Sequence, residues 1–248
     1  MIQILLSGAG GKMGQVISRS VSERVDCRIA AGIDRQSAAV DYPIFEKPSD
    51  CDVCCDVIID FSHPSLLEPL LDYAVSHKIP AVVCTTGLSP EQMDKLKEAA
   101  DKIPVFFSAN MSLGVSLLCE LAKKAAKVLG SDFDIEIIEK HHNRKLDAPS
   151  GTALMLADAI SEELAQPPQY VYDRHSRRAA RYKEEIGIHS VRGGTIVGEH
   201  EILFAGHDEI LSLTHTAMSK EIFATGAINA AIFLAKQQPG LYNMGDLV

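Results

Sequence analysis

Residues 139–152 read EKHHNRKLDAPSGT and form the most informative stretch of the chain. His141 and His142 can gain or lose a proton near neutral pH, and Arg144 and Lys145 add fixed positive charge within the same few residues. Pro149-Ser150-Gly151-Thr152 then has the form of a helix start. Ser150 suits the N-cap, which leaves the amides of Gly151 and Thr152, with the positive end of the helix dipole, facing an anion. Two imidazoles and an ammonium beside such amides make a receptor for a carboxylate-bearing molecule, with a proton donor at hand. A solvated basic loop would have the same composition. Adjacent histidines without a third spaced ligand make a poor metal site, so no metal is expected.

A second set of residues follows the first apolar run. Gly8-Ala9-Gly10-Gly11-Lys12-Met13-Gly14 is spaced G-x-x-G-x-x-G, with Met13 where the strict G-x-G-x-x-G pattern has its last glycine. Gly8 permits a tight turn, Gly11 lets the backbone approach a pyrophosphate, and Gly14 lets helix and strand pack closely. Asp34, 20 residues after Gly14, closes the second strand where a carboxylate accepts from ribose hydroxyls. Arg35 beside it suits a 2′-phosphate, so NADH and NADPH both stay open. Cys84-Thr85-Thr86-Gly87 and Ser108-Ala109-Asn110-Met111 end later strands at the same edge and are expected to line a nicotinamide pocket. His63, preceding Pro64, reads as a helix-opening residue rather than a catalyst.

The elements that must hold these residues divide into two kinds. From residue 1 to about 110, short β-rich runs (IQILLSG, CRIAAGID, CCDVIIDFS, PAVVCTT, PVFFSAN) alternate with helical patterns. Continuous apolar strands separated by helices predict an α/β, doubly wound parallel sheet, whose ligands lie at the carboxyl ends of the strands. Residues 112–129 read as a helix ended by Gly130. Beyond it, FDIEIIEKHH is an alternating strand, SGTALMLADAISEEL a helix, and residues 186–217 three strands joined by Gly-containing turns. This block reads as a smaller α+β domain with an open mixed sheet. The last apolar helix is expected to pack back on the first domain, giving domains of 1–111 with 216–248, and 112–215. Residues 166–181 are the least regular and read as a mobile loop.

The chain has 248 residues and a net charge of −9, which argues against general affinity for nucleic acid or an anionic membrane. No apolar run is long enough to span a bilayer, and MIQILLSGAGG does not read as a secretory signal. The cysteines are too sparse for a disulfide scaffold, and a cytoplasmic setting is expected. Cys51, Cys54 and Cys55 lack a second ligand pair for zinc and read as small residues at a strand entrance. Eight of the 24 basic residues fall in two stretches, 140–145 and 174–183, neither with an acidic residue. The first suits a small dianion; the second is expected to fold over that dianion or the cofactor phosphates.

Taken together, GAGGKMG, DFSHP, CTTG, SANMSLGV, HHNRKLDAPSGTAL, VRGGTIVGEHEILFAG and the closing helix make the whole chain resemble the dihydrodipicolinate reductase family, with HH-x-x-K-x-DAPSGTA the most specific motif. The resemblance implies a Rossmann-like dinucleotide-binding domain and a smaller substrate-binding and tetramerisation domain whose strands pair across a homotetramer. It implies NADH- and/or NADPH-dependent reduction of 4-hydroxy-tetrahydrodipicolinate, a small dicarboxylate, in lysine and diaminopimelate synthesis. By position, His141 resembles the catalytic acid/base and Lys145 the proton donor, while His142, Gly151, Thr152 and Thr86 resemble substrate contacts. Gly8, Ala9, Gly10, Gly11, Lys12, Met13, Asp34, Cys84, Thr85, Thr86, Ser108, Ala109, Asn110 and Met111 resemble the cofactor site, to which Arg35 is added by its own charge. Cys84 stands where many members have Gly, Asp34 is shorter than the Glu of some, and RHSRRAAR is more basic than the family pattern.

Overall fold

Seven short apolar runs form one sheet: β1 (Ile2–Ser7), β2 (Cys27–Ile33), β3 (Ile44–Phe45), β4 (Val57–Asp60), β5 (Ala81–Val83), β6 (Pro104–Phe107) and β12 (Gly240–Tyr242). Their order is β12-β6-β5-β4-β1-β2-β3 and every pairing is parallel. The coordinates are a computed structural model that describes residues 1–35 and 40–247. The sheet belongs to the first of two compact units, Met1–Leu113 with Lys220–Val248; the second is Gly114–Ser219.

Both faces of the parallel sheet are covered, which is why its strands are apolar throughout. Ile4, Leu6 and Ile59 point to the side of α1 (Lys12–Ser22) and α6 (Glu221–Leu234). Leu5, Ile58 and Val83 point to the side of α2 (Leu67–His77) and α3 (Pro90–Ala100). Each fully buried Leu or Ile contributes about 1.5–3 kcal/mol. α6 carries no charge after Glu221 and buries Ala224, Ala227, Ile228 and Leu234 against α1 and β4 to β6, the packing its sequence predicts. The parallel sense puts the carboxyl ends of β1, β2, β4, β5 and β6 at one edge, so the turns after them share that edge.

In the second unit, α4 (Leu113–Leu129) and α5 (Gly151–Ser161) cover one face of a five-stranded sheet. Its strands are β7 (Asp134–His141), β8 (Gln169–Val171), β9 (Glu185–Arg192), β10 (Gly198–Ala205) and β11 (Ile210–Ala217), in the order β11-β10-β7-β9-β8. β7 is antiparallel to β10 and parallel to β9, so the sheet is mixed. Alternation in DIEIIEKH sends Ile135 and Ile137 into the core with Ile186, Ile188, Ile202 and Phe204.

Three strands escape the sequence reading because each is two or three residues long: β3, β8 and β12. β8 corrects the expectation of a loop over 166–181. The remainder of that segment is tied to β7 and β9, since Arg174 reaches Glu185 at 2.7 Å and Glu136 at 2.6 Å, and Arg181 reaches Asp134 at 2.9 Å and Glu136 at 3.0 Å. Arg174, Arg177 and Arg181 of the basic stretch are thus paired with carboxylates of their own unit.

Candidate functional site

In the first unit the glycine loop is shaped by close approach. Gly8 has φ +80°, and a Cβ there would lie 2.6 Å from the Phe61 carbonyl oxygen. A Cβ on Gly14 would lie 2.2 Å from the Gly8 carbonyl oxygen, so only glycine lets α1 rise this close to β1. Gly11 is the N-cap of α1 without a side-chain cap, which leaves the first-turn amides open to an anion. Asp34 Oδ2 accepts the Gly10 N–H at 2.8 Å and so stands against the loop. These groups border a cleft of about 970 Å³ lined by Gly8, Gly11, Asp34, Arg35 and Thr86, together with Glu46 after β3, which the sequence reading missed. Glu46 carried no signal because the strand before it is two residues long.

The turns after β5 and β6 divide the remaining expected residues. Thr86 is exposed, whereas Cys84 and Thr85 are buried, and the Thr85 hydroxyl donates to Asp60 Oδ2 at 2.6 Å. Burial pushes the Cys84 thiol well above its ordinary value. The Ser108 hydroxyl donates to the Asn110 carbonyl at 2.7 Å, and Asn110 Oδ1 accepts from the Ser112 amide at 2.9 Å. Ala109 is exposed, while Met111 and Ala9 are core residues. Lys12 is exposed and Met13 half-buried. His63 caps the turn at Pro64–Leu66, its Nδ1 accepting from Ser65 N–H at 3.2 Å, the helix-opening role read from its place before proline. Cys51 is buried, Cys54 exposed and Cys55 half-buried just before β4, and burial pushes the Cys55 thiol up to about 12.

In the second unit the chemistry gathers at the end of β7. His141 Nδ1 lies 2.6 Å from Oε2 of Glu139, a fully buried carboxylate two residues back on the same strand face. The β7–β9 register sets His141 opposite Arg192, whose Nη1 and Nη2 donate to Glu139 at 2.7 and 2.6 Å. Arg192 also donates to the Asp147 carbonyl at 2.7 Å, fastening the loop between β7 and α5. Burial opposes the charge on Glu139, but hydrogen bonds from Arg192, His141 and Ser190 outweigh it and hold the carboxyl at about 2.

Ser150 is the predicted N-cap: its Oγ accepts from Ala153 N–H at 3.1 Å, and its own amide donates to Glu139 Oε1 at 3.1 Å. Ser150 Oγ also lies 3.0 Å from His200 Nε2. Burial, then the neighbouring His141, lowers His200 to about 4, so it is neutral at pH 7. Its ring meets that of His141 edge-on at 5.2 Å. Among the described residues, nothing beyond the adjoining backbone lies within 4 Å of where a Gly151 Cβ would be, so there is space beside the first residue of α5. Lys145 Nζ is 2.9 Å from Asp147 Oδ2, and Lys140 is paired with Glu199, so only part of this basic stretch is available to an anion. Thr152 is half-buried, and His142 has a buried Nδ1 without a hydrogen-bond partner among the described residues.

Glu139, Arg192 and His200 are absent from the sequence reading. Glu139 did leave a signal, as an acid on the face of β7 that carries Ile135 and Ile137. Arg192 and His200 left none, because their places depend on pairing with strand residues about 50 and 60 positions earlier, as the register shows. Among the described residues no helix is long and apolar enough to cross a membrane.

A parallel sheet with a glycine turn after its first strand and an acid closing its second defines the dinucleotide-binding class of α/β proteins. Residues 2–111 match the family described as dihydrodipicolinate reductase, N-terminus, and residues 114–248 match dihydrodipicolinate reductase, C-terminus; the chain belongs to this family. It is 49% identical over 248 residues to the 4-hydroxy-tetrahydrodipicolinate reductase of Caldanaerobacter subterraneus subsp. tengcongensis, covering 100% of this chain and 98% of that one. Identity to the Clostridium novyi protein of the same name is 48%, with the same coverage. A dipicolinate-bound dihydrodipicolinate reductase from Paenisporosarcina sp. TG-14 matches at a TM-score of 0.84 and 27% identity, covering 100% of both chains.

Proposed function

We propose that the chain catalyses the NADH- and/or NADPH-dependent reduction of 4-hydroxy-tetrahydrodipicolinate to tetrahydrodipicolinate, in lysine and diaminopimelate synthesis. The observation that carries this reading, in a chain of this family, is the Ser150-capped start of α5, with space beside Gly151, tied through Glu139 to His141. One end offers anion-binding amides and the other a group able to exchange a proton.

The cradle around Gly8 and Gly14, which a Cβ would fill, and the cleft bordered by Asp34, Arg35 and Thr86 fit a dinucleotide. When bound, the dihydronicotinamide supplies a hydride. The glycine loop from Gly8 to Met13 holds the pyrophosphate on backbone amides, and Asp34 accepts from the adenosine ribose. The backbone of Cys84 to Thr86 and of Ser108 to Met111 borders the nicotinamide end. In the second unit, Gly151 and Thr152 amides with His142 bind a substrate carboxylate, and Thr86 is assigned to substrate as well as cofactor. Reduction consumes one proton with the hydride and releases water. Lys145 donates that proton and His141 relays or restores it.

The chain acts as a homotetramer in the cytoplasm. Exposed Val191, Ile210 and Leu211 on β9 and β11 support strand pairing between copies, and the free state of Cys27, Cys51, Cys54, Cys55, Cys84 and Cys119 agrees with a reducing compartment. The test is NADH and NADPH oxidation with enzymatically generated 4-hydroxy-tetrahydrodipicolinate. Substrate-dependent oxidation of either cofactor is expected; a rate no higher than without substrate refutes the reading.

A further inference from the structure

We infer that Glu139 is a positioning residue of this site, fixing through one carboxylate the ring nitrogen that His141 uses, the guanidinium of Arg192 and the start of α5. The inference rests on the reading of His141 as the proton-exchanging group and adds a residue to it.

A carboxylate with no exposed surface is costly unless its lone pairs are filled. Each oxygen of Glu139 takes one bond from Arg192 and one further partner. Oε1 accepts from Arg192 Nη2 at 2.6 Å and from the Ser150 amide at 3.1 Å. Oε2 accepts from Arg192 Nη1 at 2.7 Å and has His141 Nδ1 at 2.6 Å. A pair that served stability alone would be complete with the two Arg192 bonds. Beyond Arg192, and with Ser190 as a further donor, the carboxylate holds the two groups that the proposed chemistry uses, the imidazole and the residue that caps α5.

An ionised carboxylate only accepts, so Nδ1 of His141 must be the donor. In the neutral ring Nε2 is then unprotonated, and it is the nitrogen left to take up or release a proton. Space is kept for it: a Cβ on Gly198 would approach Nε2 to 3.1 Å, and the His141 side chain retains 12% exposure. The groups facing the imidazole are Glu139 on its own strand, Arg192 on β9 beyond that carboxylate, and His200 on β10 with its Ser150 partner. Of these only Glu139 offers Nδ1 a negative charge.

The experiment pairs the tautomer of the unbound protein with kinetics. Histidine ¹⁵N shifts of the wild type should show His141 carrying its proton on Nδ1, and Glu139→Gln should shift ring population toward the Nε2–H form. In Glu139→Gln, kcat should fall at least tenfold with a smaller change in substrate KM, and the pH limb that His141→Gln abolishes should move to lower pH. Glu139→Asp, which keeps the charge, should retain the wild-type limb and covers the case in which the glutamine variant does not fold. A wild-type His141 protonated on Nε2, or a folded Glu139→Gln that keeps both tautomer and pH limb, overturns the inference. A His141→Gln variant with wild-type kcat would instead refute the proton-exchange reading, while the tautomer measurement still judges Glu139.

Discussion

At the edge of the parallel sheet, recognition is built from backbone: two glycines whose Cβ atoms would collide with carbonyl oxygens, open amides at the start of α1, and one carboxylate against the loop. At the end of β7 it is built from side chains, with Glu139, His141, Arg192, Ser150 and His200 in one connected network. The first arrangement works by leaving atoms out, and it offers shape, backbone partial charge and the Asp34 carboxylate. The second places full charges and imidazoles where burial strengthens them. Substitutions in the two regions should therefore separate: those at the sheet edge should move cofactor KM, and those around β7 should move kcat and pH dependence.

The largest effect expected is on kcat. His141→Gln and Lys145→Ala each remove a proposed proton-handling group, and general acid–base assistance is worth ~10²- to 10⁴-fold. Steady-state rates should show that loss with cofactor KM within about twofold, a bound set by the assumption that no sheet-edge contact changes. Near-wild-type kcat in both variants would break the contrast at its centre.

The next effect is on stability and depends on pH. His200 is held at about 4 by burial and by His141, while an unfolded chain has it near 6.5. Below pH 6.5 the unfolded state binds the extra proton, so stability is complete above that value and is lost as pH falls toward 4. The loss attributable to this group is roughly 2 kcal/mol at pH 5. Glu139, held at about 2, loses its contribution only below its ordinary value of 4.5, so the window between pH 5 and 6.5 belongs to the histidine rather than to it. Denaturant midpoints of wild type and His200→Gln should converge as pH is lowered through this window; parallel curves would remove the histidine from the account.

How much of this was legible follows the same division. The glycine spacing, Asp34 and the Ser150 cap are local patterns, and the structure places them at one strand edge and at one helix start. So are the long elements, since periodicity over eight or more residues survives tertiary context in β7, α4 and α6. Arg192 and His200 were not legible, because nothing near either residue says which strand it will face. The pairing of the basic stretch 174–183 was legible only in part: Glu185 follows it closely, but Asp134 and Glu136 lie about 40 residues earlier. Local sequence shows a charge but not whether another charge will meet it.

A smaller effect is expected at the sheet edge. Asp34→Ala removes the acceptor next to the Gly10 amide and, in the proposed complex, the ribose contact. Losing one hydrogen bond to a charged group costs about 1.5–3 kcal/mol where it is dry and less where it is wet, and Asp34 is half-exposed. A rise of roughly three- to tenfold in NADH KM, with kcat nearly unchanged and NADPH less affected, is the expected outcome. A fall in kcat comparable to that of His141→Gln would show that the two regions do not separate.

The smallest effect tests the basic stretch against the anion role its composition suggests. Arg177 reaches Glu185 at 2.5 Å and lies 5.0 Å from the Tyr182 ring centre, whereas Arg178 is exposed. If these arginines serve the fold of their own unit, Arg177→Ala should cost under about 1 kcal/mol, because its side chain is 43% exposed and the pair is screened. Arg178→Glu should change stability by no more than about 0.5 kcal/mol and leave both substrate and cofactor KM within about twofold. A charge reversal brings like charge against any bound dianion, so a contact with substrate or cofactor phosphate would appear as a large, salt-sensitive rise in that KM. That rise, in Arg178→Glu with Arg177 intact, would return the stretch to the ligand and add a side-chain-built anion site to the one at the end of β7.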